Sequence, residues 1–248
     1  MPVVIGIIPA RYASTRLPGK PLADIHGKSM IRRVYERCAE AGVFARIVVA
    51  TDDERIAAAV RAFGGEAAMT SPAHPSGSDR AAEVAAGIEA DIVVNVQGDE
   101  PFVAPAMLEE VTRPLVEDAS LPMCTLMHEI PEGSWADPNV VKVAVNLRGE
   151  ALYFSRSLIP YPRKREGFRA FEHIGIYAYR REFLLEFTRL PVTPLERAES
   201  LEQLRVLENG RRLKVVESRA PDYVPLSIDT PEDLELARRL AAEREGQG

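Results

Sequence analysis

Short apolar segments alternate with helical patterns in the first part of the sequence. The segments 3–8, 46–50 and 92–96 consist mainly of β-branched and other apolar residues, which is typical of strands covered on both faces of a parallel sheet. Between the first two segments, Met30, Val34 and Cys38 recur at four-residue steps and predict a helix. This alternation predicts an α/β fold with a mainly parallel sheet, in which ligands bind at the carboxyl ends of the strands.

The middle third of the sequence has a different pattern. Strand signals at 123–128, 140–146 and 151–154 are separated by Pro/Gly turns and not by helices, which indicates an antiparallel or mixed extension of the sheet. Helical periodicity returns at 182–190 and 195–207, a strand follows at 213–217, and a last helix is predicted to begin at Thr230-Pro231. We therefore expect residues 1–248 to form a single domain in which about 122–190 are an extension.

Composition and charge exclude several classes of protein. The chain has 248 residues, of which 46% are hydrophobic, so its core needs no disulfides or structural metal. Its 31 Lys and Arg against 37 Asp and Glu leave a net charge of -6, which disfavours nonspecific binding to nucleic acid or to anionic membranes. No apolar run approaches the ~18 residues of a membrane span, and Cys38 and Cys124 show no metal-ligand spacing. We expect a soluble, cytoplasmic protein with no nucleic-acid partner and no membrane insertion.

The loop at 9–21, which follows the first strand, is the first candidate site. It contains three cations and two hydroxyl side chains, namely Arg11, Arg16, Lys20, Ser14 and Thr15. Arginine offers a planar fork to phosphate oxygens and lysine a compact charge, so the loop is suited to a triphosphate. It matches neither the Walker A nor the Gly-x-Gly-x-x-Gly pattern. A solvated cationic turn is the alternative, but the position at the carboxyl end of a strand favours the anion site.

Two acids far apart in the sequence are candidate metal ligands. Asp99 follows the third apolar segment, and Mg²⁺ prefers such hard oxygen ligands; alternatively, Asp99 and Glu100 begin the next helix near Pro105. Asp229 precedes the last helix and could instead support its N-terminus beside Thr230. If the two acids meet, paired metals could hold a triphosphate and a nucleophile. The sequence does not show that they meet.

Two further segments are weaker candidates. Ser76-Gly77-Ser78-Asp79-Arg80 leads into a predicted helix and could contact a base or a phosphate, or it could be a plain helix cap. In 171–179, alternation places His173, Tyr177 and Tyr179 on one face of a strand. A single histidine beside aromatic residues is more often structural than a ligand. The basic segment 163–169 is interpreted as a solvated loop because the chain is acidic.

Three segments together, 8–22, 95–101 and 229–234, resemble the 3-deoxy-manno-octulosonate cytidylyltransferases, or CMP-Kdo synthetases. The likeness also includes 151–156, 173–179 and 200–207, so it extends over nearly the whole chain. It implies a Rossmann-like nucleotidyltransferase fold with a mainly parallel mixed sheet and a smaller antiparallel or mixed extension. It also implies a homodimer in which CTP and 3-deoxy-D-manno-octulosonate (Kdo) give CMP-Kdo and pyrophosphate for lipopolysaccharide synthesis.

The resemblance also implies roles for individual residues. Residues expected to bind CTP are Ala10, Arg11, Arg16, Lys20, Gly77, Arg80 and Gln97. Asp99 and Asp229 are expected to bind Mg²⁺ and to act in catalysis together with Lys20, which would stabilise charge at the reacting α-phosphate. Residues expected to line the sugar-acid pocket are Arg156, His173, Tyr177, Glu202 and Gln203. The region at about 122–190 is expected to serve in sugar binding and dimerisation.

The sequence departs from the common family pattern in three places. Ser78-Asp79 stands where the family often has Thr-Glu, Glu172 stands where a basic residue is frequent, and the stretch between Pro162 and Phe171 is short. These differences concern the sugar contacts and not the metal chemistry. The alternatives are therefore cytidylyl transfer to another acidic sugar, such as 8-amino-Kdo or a sialic acid, and a noncatalytic nucleotide-sensing module. A sensing module would not need both Asp99 and Asp229.

Overall fold

The structure is a computed structural model, and it describes residues 2–13, 16–221 and 223–246. The chain divides into two compact units. The N-terminal unit comprises Pro2–Glu109 and Ala220–Gly248, and the central unit comprises Glu110–Arg219. Ser14 and Thr15, the two hydroxyl residues predicted in the first loop, lie outside the described residues.

The elements follow one another along the chain with α/β alternation at the start. In the N-terminal unit they are β1 (Val4–Ala10), β2 (Asp24–Ile25), β3 (Lys28–Ser29), α1 (Met30–Glu40), β4 (Arg46–Thr51), α2 (Glu54–Ala62), β5 (Glu66–Met69), α3 (Gly77–Ala86) and β6 (Ile92–Asn95). Helix α4 (Pro105–Glu117) contains the boundary between the units. In the central unit they are β7 (Met123–Ile130), β8 (Lys142–Val145), β9 (Ala151–Ser155), β10 (Ala170–Arg180), α5 (Arg181–Phe187), α6 (Pro194–Glu199), α7 (Leu204–Glu208) and β11 (Lys214–Glu217). Helix α8 (Pro231–Glu245) belongs to the N-terminal unit.

Four strands of the N-terminal unit form a parallel sheet in the order β6-β1-β4-β5. Strand β1 is buried along nearly its whole length, because its apolar side chains are covered on both faces. The register pairs Ala10 with Thr51 and Ile7 with Asn95, so the loops that follow β1, β4 and β6 leave the same edge of the sheet. The predicted parallel α/β arrangement is therefore confirmed.

Side-chain oxygens cap the starts of helices α2 and α8. The Asp53 side chain accepts a hydrogen bond from the backbone N–H of Arg55 at the start of α2. At the start of α8, the Thr230 hydroxyl accepts from the backbone N–H of Asp233, and the Asp233 carboxylate accepts from that of Thr230. This capping box fixes the chain immediately after Asp229.

A buried cluster joins the C-terminal segment to the rest of the N-terminal unit. Ile228 and Leu234 of that segment pack with Ile25, Met30 and Phe102. In addition, the Ile228 backbone N–H donates to the backbone carbonyl of Asp99 over 3.0 Å. Burial of these apolar side chains holds the residues around Asp229 against the loop that carries Asp99.

The central unit has a mixed sheet. Strand β10 pairs antiparallel with β7, and β11 pairs parallel with β7, in the order β11-β7-β10. Strand β8 pairs antiparallel with both β10 and β9. The prediction of antiparallel or mixed strand pairing in this part of the chain is confirmed.

One predicted helix is two helices in the structure. The apolar spacing at 195–207 predicts a continuous helix, but α6 ends at Glu199 and α7 begins at Leu204. Ser200 adopts a left-handed conformation with φ of 54°, and its backbone N–H bonds the carbonyl of Glu196. A left-handed residue ends a helix. Apolar spacing alone does not reveal the break, because Leu201 inside it and Leu204 at the start of α7 are both buried.

Candidate functional site

A cleft of about 350 Å³ opens at the carboxyl ends of β1 and β6 in the N-terminal unit. Its walls come from the loop after β1, the segment that leads into α3, the loop after β6 and the chain two residues before α8. The lining residues are Pro9, Ala10, Arg11, Ala13, Arg16, Lys20, Pro21, His74, Pro75, Ser76, Gly77, Arg80, Gln97, Gly98, Asp99 and Asp229. The cleft therefore contains all the residues predicted to bind CTP and Mg²⁺.

Lys20 lies between the two predicted metal ligands. Its Nζ is 2.8 Å from Oδ2 of Asp99 and 3.2 Å from Oδ1 of Asp229. The Arg16 guanidinium lies 3.0 Å from the other carboxylate oxygen of Asp229. The lysine side chain is only 15% exposed, whereas those of Asp99 and Asp229 are 27% and 40% exposed. Two acids distant in sequence thus meet at one cation, which the sequence alone did not show.

Close backbone packing places Asp99. A Cβ on Gly98 would lie 2.6 Å from the backbone carbonyl oxygen of Pro9, so only glycine lets the loop after β6 approach the end of β1. The hydrogen bond from Ile228 to the Asp99 carbonyl then draws the C-terminal segment to the same edge. Asp229 is held by its own backbone N–H, which donates to the Asp233 carboxylate over 3.0 Å.

Lys20 is placed by a tight turn. Gly19 has φ of 72°, and a Cβ there would lie 3.1 Å from the Tyr12 ring. The Tyr12 ring is in turn covered by the Arg55 guanidinium, whose central carbon is 3.4 Å from the ring centroid. The Asp53 carboxylate accepts hydrogen bonds from that guanidinium, and this pairing lowers the pKa of Asp53. Helix α2 therefore supports the loop that carries Lys20.

The cleft is locally cationic although the chain is acidic. Four cations line it, Arg11, Arg16, Lys20 and Arg80, against the two carboxylates of Asp99 and Asp229. The chain as a whole has a net charge of -6. Because cations outnumber carboxylates in this concave site, its net positive charge attracts an anionic ligand that the acidic exterior would repel.

The Arg80 side chain is buried and already hydrogen-bonded within the protein. It is 4% exposed, and its guanidinium donates to the Thr70 hydroxyl over 2.5 Å and to the Asp52 carboxylate over 3.1 Å. Thr70 and Asp52, which hold the Arg80 guanidinium, were not among the predicted site residues. Asp52 directly follows β4, so the rule that ligand-side residues follow parallel strands could have found it.

Gly77 is the first residue of helix α3 and lines the same cleft. Ser76 caps the helix by accepting from the backbone N–H of Asp79. A Cβ on Gly77 would lie 3.4 Å from the Pro9 ring and 3.8 Å from the Gln97 side-chain oxygen. The start of a helix presents free N–H groups and a partial positive charge, so this wall can accept polar or anionic atoms of a nucleotide.

His173, one of the five residues predicted for the sugar acid, lies in the central unit and packs among polar and aromatic partners. Its Nε2 is 3.0 Å from the Thr125 hydroxyl oxygen. The ring centroids of Phe154 and Tyr177 lie 5.0 Å and 5.3 Å from that of His173. This desolvated setting lowers the pKa of His173 to about 3, so the ring is neutral near pH 7. His173, Tyr177 and Tyr179 share one face of β10, as predicted, because their rings form a continuous row.

Arg156 is held by Glu199. The Arg156 Nε donates to the Glu199 backbone carbonyl over 2.9 Å, and one terminal nitrogen donates to the Pro138 carbonyl over 2.9 Å. The Glu199 carboxylate accepts from the Ser155 hydroxyl and from the Arg156 backbone N–H. Glu199 was missed by the sequence analysis, although it directly precedes the segment 200–207 that carries the family likeness.

The interruption between α6 and α7 carries the other two predicted sugar-acid residues, Glu202 and Gln203. Gln203 is 4% exposed, and among the described residues its buried Nε2 has no hydrogen-bond partner. An unpaired buried donor costs about 1–3 kcal/mol. Gln203 therefore has a donor available for a ligand.

Lys142 is a buried cation that the sequence analysis did not single out. Its Nζ donates to the backbone carbonyls of Asp137, Val140 and Arg156 over 2.6–2.8 Å. Burial lowers the pKa of Lys142. Three carbonyl acceptors compensate for the buried charge and tie the segment before β8 to the backbone of Arg156.

Within residues 2–13, 16–221 and 223–246, no group of three or more His, Cys, Asp or Glu side chains is placed to hold a metal ion. The same residues include no helix that is both long and apolar enough to cross a membrane. Cys38 and Cys124 are buried free thiols, and burial raises the pKa of each.

Relatives of known name share most of this chain. The cytidylyltransferase family matches residues 5–215. A 3-deoxy-manno-octulosonate cytidylyltransferase from Geobacter metallireducens is 55% identical over 244 residues, which cover 94% of this chain and 95% of that protein. The enzyme of the same name from Geobacter sulfurreducens is 52% identical over 244 residues, with 94% and 96% covered.

A solved structure also matches closely. The structure of a CMP:2-keto-3-deoxy-manno-octonic acid synthetase complexed with CTP superposes with a TM-score of 0.94 at 48% identity, covering 98% of this chain and 99% of that one. The 4-diphosphocytidyl-2C-methyl-D-erythritol synthase of Anaerococcus prevotii superposes with a TM-score of 0.63 at 12% identity, covering 97% and 98%, and shows the fold alone. The fold is therefore the Rossmann-like nucleotidyltransferase fold that the sequence analysis expected.

Proposed function

Because the chain belongs to the 3-deoxy-manno-octulosonate cytidylyltransferases, we infer that it transfers CMP from CTP to the anomeric hydroxyl of Kdo and releases pyrophosphate. The observation that carries the catalytic assignment is the convergence of Asp99 and Asp229 on Lys20 in a cationic cleft. A noncatalytic nucleotide sensor would not need that pair of acids. The relatives' names do not favour another acidic sugar as the acceptor.

The cleft residues support an in-line displacement. The sugar's anomeric oxygen forms a bond to the α-phosphorus and releases its hydroxyl proton to water. The bond from that phosphorus to the oxygen bridging to the β-phosphate breaks, so that pyrophosphate leaves. Arg11 and Arg16 hold phosphate oxygens, and Lys20 neutralises charge that grows on the α-phosphoryl group. The chain's contribution is thus orientation of the two substrates and electrostatic stabilisation.

We propose that Asp99 and Asp229 hold Mg²⁺. The donor set fits, because two carboxylates already converge on one cation, the ammonium of Lys20. One or two carboxylates are what Mg²⁺ takes from a protein when phosphate oxygens and water complete its shell. When bound, the metal neutralises the triphosphate and lowers the pKa of the attacking hydroxyl.

For the sugar acid, we propose binding by Arg156, His173, Tyr177, Glu202 and Gln203. The Arg156 guanidinium has five N–H donors and uses two of its nitrogens on backbone carbonyls, so further donors remain for a carboxylate. The Gln203 amide nitrogen, which has no hydrogen-bond partner in the part of the chain that the structure describes, and the neutral ring of His173 can bind hydroxyls. One arginine for the carboxylate, with neutral groups and the Glu202 carboxylate for hydroxyls, matches a polyhydroxylated monoacid.

We propose that the reaction takes place in the cytoplasm and supplies lipopolysaccharide synthesis. CTP is a cytoplasmic metabolite, and the two buried free thiols match a reducing compartment. An activated sugar acid is a glycosyl donor, so a glycosyltransferase reaction must consume it.

The test of the proposed activity is pyrophosphate release with each of four nucleoside triphosphates and a panel of sugar acids. With Mg²⁺ present, we expect release from CTP plus Kdo to exceed that from any other pair by at least about 100-fold. A hydrogen-bonding site rejects analogues that leave its buried polar groups unpaired. The energetic cost of those unpaired groups sets the expected size of the difference in pyrophosphate release. Absence of release from CTP plus Kdo would contradict the proposal.

We further propose that the protein is a homodimer formed through the central unit, with about 122–190 as the sugar-binding and dimerisation region. That unit exposes the large apolar side chains of Leu147, Leu152 and Tyr161. Contiguous exposed apolar surface marks an interaction site, and we propose that a second copy of the chain covers these side chains. Light scattering is expected to give about twice the mass of one chain, and Leu152→Glu should shift the mass toward the monomer. A monomer in the unmodified protein at working concentration would contradict this proposal.

A further inference from the structure

Thr125 in β7 is a fully buried hydroxyl with three close partners. It is 0% exposed. Its Oγ1 lies 3.0 Å from the Ile174 carbonyl oxygen, 2.8 Å from the Ile176 carbonyl oxygen and 3.0 Å from Nε2 of His173. All three partners belong to β10, the neighbouring strand. Because the Thr125 hydroxyl has only one hydrogen, these contacts determine which atom donates and which accepts in each hydrogen bond.

The two carbonyl groups face Thr125 because β10 bulges there. The register pairs Ile174 with Leu126 and then Tyr177 with Thr125, so Gly175 and Ile176 are extra residues on β10. Such a bulge interrupts the hydrogen-bond ladder between strands. The shift is by two residues, so side-chain alternation is preserved and His173 and Tyr177 stay on one face.

The hydroxyl proton must point to the bulge. A threonine hydroxyl has one hydrogen and two lone pairs. If that hydrogen pointed at His173, two carbonyl oxygens would face the lone pairs of Oγ1 at 2.8 Å and 3.0 Å without a proton between them. Burial makes such unpaired oxygen contacts costly. The hydrogen therefore goes to a carbonyl, and Oγ1 accepts a hydrogen bond from the ring N–H at Nε2.

We propose that Thr125 is a positioning residue for the sugar-acid site: Thr125 holds His173 as the neutral Nε2–H tautomer, so that Nδ1 accepts a hydrogen bond from a hydroxyl of the sugar acid. The inference rests on the proposed placement of His173 in that site. It adds the direction of the hydrogen bond, since His173 binds as an acceptor. The desolvated ring, whose pKa is lowered to about 3, supports the neutral form. Phe154 and Tyr177 pack against the ring.

The tautomer is tested by NMR without any measurement of activity. The chain has four histidines, and the His173 ring signals are assigned from their loss in His173→Asn. In the full-length protein near pH 7, ¹⁵N shifts should place the proton on Nε2, and that proton should exchange slowly with water. In Thr125→Val the slow exchange should be lost, and Thr125→Ser should retain it. A proton on Nδ1, or a doubly protonated ring, would overturn the inference.

The functional part is tested by kinetics. Thr125→Val should raise KM for Kdo about tenfold and change KM for CTP less than about threefold, because only the sugar contact loses its oriented acceptor. Thr125→Ser, which keeps the hydroxyl, should stay within about threefold of the unmodified protein for both. Thr112→Val removes another buried threonine hydroxyl of the central unit and should leave KM for Kdo unchanged. Equal changes in both KM values for Thr125→Val would indicate a structural role and contradict the inference.

A double variant separates this inference from the proposed sugar site. In a His173→Asn background, Thr125→Val should add nothing to KM for Kdo, because the two residues act through one contact. An additive effect would overturn the role of Thr125 and leave the sugar site intact. If His173→Asn itself leaves KM for Kdo unchanged, the proposed sugar site is wrong at His173, whichever tautomer NMR reports.

Discussion

Asp99→Asn is expected to lower kcat by at least about 100-fold while the protein remains folded. The change preserves size but removes one of the two carboxylates that converge on Lys20. Magnesium prefers charged oxygen ligands, so the variant should also need more Mg²⁺ for half-maximal activity. Asp229→Asn should act in the same direction, because its carboxylate contacts the same ammonium. Pyrophosphate release across a Mg²⁺ titration measures both effects.

The matched control is Asp91→Asn in the same unit. The Asp91 carboxylate accepts from the Val3 backbone N–H over 2.6 Å at the surface and does not line the cleft. This variant should keep kcat within about twofold, as is usual for a surface substitution. Thermal unfolding should give similar midpoint temperatures for Asp99→Asn and Asp91→Asn, which would show that both variants are folded. Full activity of Asp99→Asn at low Mg²⁺ would contradict the metal assignment.

The sequence predicts the N-terminal unit well because local rules decide its elements. Strand β1 is apolar throughout, and such a short β-branched run is typical of a strand covered on both faces. The start of α8 is equally local, because Thr230, Pro231 and Asp233 satisfy the first backbone N–H groups. The break at Ser200 could not be predicted, since serine rarely adopts a left-handed conformation and no neighbouring glycine marks the position.

The site is predicted in part, for a different physical reason. Asp99 and Asp229 are recognisable as acids after a strand and before a helix, but their meeting depends on the packing of Ile228 against distant residues. No local pattern encodes that packing. Thr125 is harder still, because a threonine in a buried strand is common and its role appears only when the bulge in β10 brings two carbonyls to it. Long-range geometry is therefore what the structure adds.

Lys20→Met is expected to lower kcat about 100- to 1,000-fold and to raise KM for CTP by less than about tenfold. Lys20 is only 15% exposed and sits between two carboxylates, so its charge is little screened by water. An interaction that strengthens as charge develops on the α-phosphoryl group changes the rate more than it changes binding. Steady-state kinetics at saturating CTP and Kdo measure the separation of kcat from KM. The control is Lys28→Met, which removes a lysine paired with Glu36 away from the cleft and should keep kcat within about twofold.

Lys20→Arg distinguishes a catalytic charge from a binding charge. Arginine keeps the positive charge but spreads it over a planar group with fixed donor directions, and Lys20 has room for a compact ammonium between two carboxylates 2.8 Å and 3.2 Å away. The variant should therefore recover KM for CTP to within about threefold and leave kcat at least about tenfold below the unmodified protein. Full recovery of kcat would mean that any cation at this position suffices. An unchanged kcat in Lys20→Met would show that Lys20 binds CTP without acting on the reaction, which would contradict its catalytic role.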